Sequence, residues 1–159
     1  MPLNQLLSAG RILPAVEAGD RAAVIEVAAR LLSGDDPAQA TAIADGLRQR
    51  ERLGSTAIGH GIAIPHGRSA VLGEPRGAFL RLVEPIDFGA SDGQAVDLVF
   101  ALIVPEHFTQ QHLQLLSELA ERFADADFRS ALREADDAQA LLRLLAGPVE
   151  TLHADARRA

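Results

Sequence analysis

With 159 residues, 48% of them hydrophobic, and a net charge of −7, the chain has the size of one domain and the material for a substantial core. The charge excludes a global attraction to nucleic acid or anionic lipid. The absence of cysteine excludes disulfides, thiolate zinc sites and cysteine nucleophiles, and the absence of lysine excludes Schiff-base chemistry.

Met1 to Gln5 lacks the basic region of a secretory signal. The longest apolar run, Leu98 to Val104, is too short to span a bilayer. A soluble cytoplasmic protein without direct membrane insertion is expected. Leu3, Leu6 and Leu7 suggest a short first helix, and Ile12-Leu13 before Pro14 a brief edge strand. Asp20 is placed to cap a helix carrying Val24, Val27, Ala28, Leu31 and Leu32, which Gly34 ends. Asp36-Pro37 opens the next helix, whose inner face runs through Ala40, Ile43, Ala44 and Leu47 to Arg50.

The stretch from Gly54 to Arg68 then holds four glycines around Ile62-Ala63-Ile64, a short apolar run that reads as a strand. Pro65 cannot donate to a ladder and should end that strand or lie at an edge, which places His66 at the strand's end beside Gly67. Further on, Gly77 to Val83 reads as a strand, Pro85 to Phe88 and Asp92-Gly93 as turn material around another short extended piece, and Leu98 to Val104 as a central strand covered on both faces. A helix from Gln110 to Phe123 should turn Leu115, Leu116, Leu119, Ala120 and Phe123 inward. Asp127 is placed to cap a short helix through Leu132. A last helix spans Asp137 to Leu145 and stops at Gly147-Pro148. Strands flanked by helices in this order predict an α/β fold, with helices on both faces of a sheet. One domain is expected over residues 1–147, with residues 148–159 as a flexible C-terminal tail.

Two basic residues interrupt apolar faces. His112 shares the inner stripe with Leu115 and Leu116 near a helix start, where free amides and the helix dipole favour an anion. Arg50 extends the stripe of Ile43 and Leu47 to a helix C-terminus, where it can also bond the last carbonyls. Arg50, His66 and His112 each lie at the end of an element, and such ends can meet at one edge of a sheet. A basic trio with free amides describes a phosphate site.

The run Arg50-Glu51, Gly54-Ser55-Thr56 and Gly61-Ile62-Ala63-Ile64-Pro65-His66-Gly67 resembles the type-2 enzyme IIA family of the bacterial phosphoenolpyruvate:sugar phosphotransferase system. Its likeness is greatest to the nitrogen-regulatory, PtsN-like branch. Val96-Asp97-Leu98 to Pro105 and His112-Leu113-Gln114 extend the resemblance over nearly the whole domain. It implies a mixed sheet between helices. It also implies a phosphoryl acceptor at Nε2 of His66, a second active-site histidine at His112 that stabilises the phosphate, and an active-site arginine at Arg50 for charge stabilisation. Gly59, Gly61 and Gly67 are candidates for phosphate-binding backbone. The implied donor is an HPr-like phosphocarrier protein (NPr). Potassium transport proteins or sensor kinases are regulatory targets at the level of the family. No cofactor and no metal is required when the donor is already a phosphohistidine. One departure is His60, where the branch often has Asn.

Three other readings stay open. The chain can be a IIA component that passes phosphate to a IIB protein for mannitol- or fructose-type sugar uptake. It can be a binding module that has kept the fold and lost phosphorylation. Or it can be a histidine-ligated metal-binding module using His60, His66, His107 and His112, although no His-Glu-x-x-His motif accompanies them.

Overall fold

The computed structural model describes residues 3–147, so the expected tail at 148–159 lies outside the described residues. Strand β1 (Ile12–Val16) is followed by helices α1 (Arg21–Ser33) and α2 (Pro37–Leu53). Next come four strands, β2 (Ala57–Gly59), β3 (Ile62–Ala63), β4 (His66–Ser69) and β5 (Arg76–Ile86). Strand β6 (Val96–Pro105) and helices α3 (Thr109–Phe123), α4 (Ala126–Glu134) and α5 (Ala138–Ala146) complete the order.

The sheet is mixed and runs β1-β5-β6-β3-β2, with β4 also on β6. Strand β6 is antiparallel to β5 and parallel to both β3 and β4. Its residues alternate between two cores. Val99, Ala101 and Ile103 pack with α1 and α2, against Ile25, Leu32, Ile43 and Leu47. Leu98, Phe100, Leu102 and Val104 pack with α3, α4 and α5, against Leu119, Phe123, Leu132 and Leu145. Two covered faces explain why this strand is apolar at every position from Leu98 to Val104. Each fully buried Leu or Phe contributes about 1.5–3 kcal/mol.

The helix starts follow their caps. Asp20 accepts from the amide of Ala23 at 2.9 Å, Asp36 from Ala38 at 3.0 Å, and Asp137 from Ala140 at 2.9 Å. Gly34 ends α1 in the left-handed conformation, with φ 65°.

Several boundaries differ from the sequence expectation. Leu3–Gln5 forms only a single 3-10 turn, although Leu6 and Leu7 are buried. Helix α4 is capped by Asp125, whose carboxylate accepts from Asp127 at 2.9 Å; Asp127 lies inside the first turn. Strand β5 continues through Pro85 to Ile86, across a shift of register on β6. Pro14 lies inside β1, which among the described residues pairs only with β5 and so forms an edge of the sheet, where proline is tolerated. Most important, His66 does not end a strand but opens β4. The chain leaves β6 at Ile64-Pro65 and pairs with it again from His66↔Leu102 onward.

Candidate functional site

The site is built where α2 ends and β4 begins. Arg50 stands in the last turn of α2, which Gly54 closes with φ 155°. Its Nη1 donates to the carbonyl of Gly54 at 2.8 Å, and its Nε donates to Nε2 of His66 at 3.2 Å. Arg50 therefore does both things that its position suggested: it caps the helix end, and it reaches the histidine.

The other ring nitrogen of His66, Nδ1, lies 2.8 Å from the carbonyl of Ile64. A carbonyl only accepts, so Nδ1 carries the proton, and Nε2 keeps the lone pair to which Arg50 donates. Burial holds the His66 ring below the ordinary histidine pKa; the Ile64 carbonyl pulls it back up, Arg50 pushes it down further, and Glu51 opposes that. The ring is consequently neutral at neutral pH, with a fixed tautomer and its Nε2 lone pair turned to Arg50.

His112 comes from the first turns of α3 and packs edge-on against His66, with ring centroids 5.3 Å apart. It is 6% exposed, and its Nε2 has no hydrogen-bond partner among the described residues. Burial, then the neighbouring charges of His66 and Arg68, lower its pKa to about 4. Phe108 at the N-cap of α3 supplies no side-chain acceptor, so the first amides of that helix lack a side-chain cap. An orphaned imidazole nitrogen and an uncapped helix start both suit an acceptor-rich anion.

Beside His66 and Arg50 opens a pocket of about 240 Å³. Ser55, Thr56, Ala57 and Ile58 wall it on one side, and Leu116 and Ala120 of α3 on another. Leu116 and Ala120 are half-buried, where the helical stripe alone predicts burial; the pocket is what leaves them open.

The structure brings Arg50, His66 and His112 together. His112 reaches this group through its contact with the His66 ring, and neither it nor Gly59, Gly61 or Gly67 lines the pocket. Gly59-His60-Gly61 forms the β2–β3 turn with all three φ angles positive. A Cβ on Gly61 would stand 2.6 Å from Nη2 of Arg133, which donates to the carbonyl of His60 and pairs with Asp97 at 2.8 Å. Gly67 lets β4 approach α2: a Cβ there would stand 3.0 Å from the backbone of Gly46. His60 is exposed, and its amide donates to Asp92 at 2.8 Å. His107 is exposed and meets the Phe108 ring edge-on. No group of three or more His, Asp or Glu side chains among the described residues is placed to hold a metal ion. No described helix is long and apolar enough to cross a membrane.

Sequence reasoning missed Glu51 and Thr56. Both are buried, and the Thr56 hydroxyl and amide both donate to the Glu51 carboxylate, the amide at 3.1 Å. The available signal was the position of Glu51, four and seven residues after Leu47 and Ala44 on the core-facing stripe.

Comparison with known proteins identifies the family and the fold. The sequence model of the family described as "Phosphoenolpyruvate-dependent sugar phosphotransferase system, EIIA 2" matches residues 5–147. A nitrogen regulatory protein of Pseudomonas aeruginosa is 44% identical over 144 residues, covering 90% of this chain and 94% of that protein. One from Bradyrhizobium diazoefficiens is 42% identical over 154 residues, covering 95% and 99%. Among solved structures, the nitrogen regulatory protein IIA-Ntr of Neisseria meningitidis superposes with a TM-score of 0.85 at 37% identity, covering 90% of this chain and 98% of that one. The mannitol IIA of Escherichia coli shares the fold, with a TM-score of 0.73 at 23% identity over 88% of this chain and 99% of that one.

Proposed function

Because the chain belongs to the phosphotransferase-system EIIA 2 family, we propose that it is a cytoplasmic phosphoryl carrier of a nitrogen-related regulatory branch, loaded on Nε2 of His66 by an HPr-like phosphohistidine protein. The observation that carries this reading is the pair of bonds on the His66 ring. Ile64 holds the proton on Nδ1, so Nε2 presents its lone pair without a general base.

In the transfer, Nε2 of His66 attacks the phosphorus of the donor's phosphohistidine. A new P–N bond forms as the donor's P–N bond breaks, and that electron pair returns to the donor ring nitrogen. Nδ1 of His66 keeps its proton against the Ile64 carbonyl, which stabilises the positive charge that the ring acquires. Arg50 must release Nε2 as the phosphorus arrives, and its guanidinium then faces the phosphoryl oxygens. His112, in its Nε2–H form, gains for that buried nitrogen the acceptor it now lacks. Such transfer rests on in-line positioning and charge stabilisation.

The nitrogen-regulatory reading is favoured over sugar uptake by the identities of 44% and 42% to proteins of that name. A fructose-specific EIIA component of Haloferax volcanii is 39% identical over 106 residues. The test is incubation with phosphoenolpyruvate, enzyme I and an HPr-like donor, followed by mass spectrometry of the wild type and of His66→Ala. The wild type gains one acid-labile, alkali-stable phosphoryl group, and the variant gains none. Phosphorylation of His66→Ala contradicts the proposal.

A further inference from the structure

We infer that Glu51 is a positioning residue for His66, acting on its Nδ1 through a chain of hydrogen bonds while its neighbour Arg50 acts on its Nε2. The inference rests on the reading of His66 as the phosphoryl acceptor.

Glu51 is 7% exposed and occupies a position where the helical stripe calls for an apolar side chain. A buried carboxylate is costly unless its oxygens are partnered. Here one oxygen accepts from the Thr56 hydroxyl, and the other from the Thr56 amide at 3.1 Å, with Nη1 of Arg21 at 3.5 Å. The opposite side of the Thr56 residue continues the chain: its carbonyl accepts from the amide of Ile64 at 3.0 Å. The carbonyl of Ile64 then accepts from Nδ1 of His66 at 2.8 Å. Two consecutive residues of α2 thus reach the two nitrogens of one imidazole. Arg50 does so directly, and Glu51 does so through Thr56 and Ile64.

Anchors beyond the helix fix the same chain. Arg21 of α1 also donates to the carbonyl of Phe88 at 3.3 Å, and the Ser55 hydroxyl donates to that same carbonyl. Ser55 and Thr56 both wall the pocket beside His66. Without Glu51, no described side chain accepts from either donor of Thr56, the residue whose carbonyl holds the Ile64 amide. A leucine at position 51 would complete the apolar stripe, so the carboxylate is not there for packing.

The experiment compares the full-length wild type with Glu51→Leu and Glu51→Gln. Nitrogen-15 NMR of the unphosphorylated protein reads the His66 tautomer, and transfer from a phosphorylated HPr-like protein gives the rate at saturating donor. Glutamine can accept from the Thr56 amide while the Thr56 hydroxyl turns to accept from it, so Glu51→Gln keeps the wild-type tautomer and stays within about threefold of its rate. Glu51→Leu shows both tautomers and loses about tenfold or more in maximal rate, with the donor concentration for half-maximal rate little changed. Wild-type tautomer and rate in a folded Glu51→Leu overturn the inference, as does an equal loss in both variants. If Glu51→Leu does not fold, Thr56→Ala takes its place: mixed tautomers and a slowed rate support the inference, and wild-type values of both overturn it. A wild type that accepts no phosphoryl group at all defeats the acceptor reading instead, while the tautomer measurement still decides the role of Glu51.

Discussion

Arg50 and His66 meet nitrogen to nitrogen, Nε to Nε2 at 3.2 Å, although they lie sixteen positions apart in the chain with two strands between them. The contact places a permanent cation on the lone pair that, in the proposed transfer, attacks phosphorus. In the resting site it adds to burial in favouring the neutral imidazole, and in the proposed transfer it faces the phosphoryl oxygens. The same guanidinium holds the Gly54 carbonyl at 2.8 Å, so its position is set by the helix end.

Arg50→Ala should therefore slow phosphoryl transfer. Loss of one preorganised donor to developing charge costs about 2.7–4 kcal/mol, or roughly 100–1000-fold in rate. Arg50 also depresses the His66 pKa, so the variant's His66 should titrate at higher pH than in the wild type. Quench-flow transfer rates and an NMR titration of the ring check the two outcomes. An unchanged rate in a folded variant contradicts the role.

His112 makes the stability of the domain depend on pH. In the unfolded chain it titrates near 6.5, and in the folded protein at about 4. Between those values the unfolded state holds the extra proton, so stability is complete above about 6.5 and falls as pH drops toward 4. Carboxylates add their own acid losses, so the informative quantity is the difference between proteins. Urea denaturation at pH 7.5 and pH 5 should show a smaller loss for His112→Gln than for the wild type. Equal losses contradict a buried, neutral His112.

Gly67→Ala tests whether the spacing of β4 and α2 matters to the site. The added methyl meets the backbone of Gly46 at 3.0 Å, and β4 carries His66 while α2 carries Arg50. Overpacking of this kind costs about 1–3 kcal/mol, which thermal or urea unfolding would register. Transfer should slow even at temperatures where the variant is fully folded. A normal rate in a destabilised variant would show that the approach of strand to helix serves stability alone.

Much of this fold is legible in the sequence because its signals are local. Leu98 to Val104 announces a strand covered twice, and Asp20, Asp36 and Asp137 announce three helix starts. Arg50 and His112 are legible as basic residues on apolar stripes. The course of the chain at His66 is not. Pro65 interrupts the ladder, yet its carbonyl still accepts from Leu102 at 2.9 Å, and pairing resumes at the next residue. Local punctuation cannot distinguish a strand's end from such a break, because the difference lies on the neighbouring strand. Glu51 shows the same limit. Its place on the stripe is readable, but its partner, Thr56, reaches it only after the helix has ended. The glycines show the same limit: positive φ and close approach are legible, but the neighbours they approach, Asp92, Arg133 and Gly46, are not.

The central claim is that Nε2 of His66 is the atom that takes the phosphoryl group, because Ile64 occupies Nδ1. It is tested most directly by NMR of the nitrogen-15-labelled protein after reaction with phosphoenolpyruvate, enzyme I and an HPr-like donor. A phosphorus–nitrogen coupling at Nε2 of His66, with the Nδ1 proton still present, is the predicted result. Coupling at Nδ1, or a phosphoryl group on His60, His107 or His112, would contradict it.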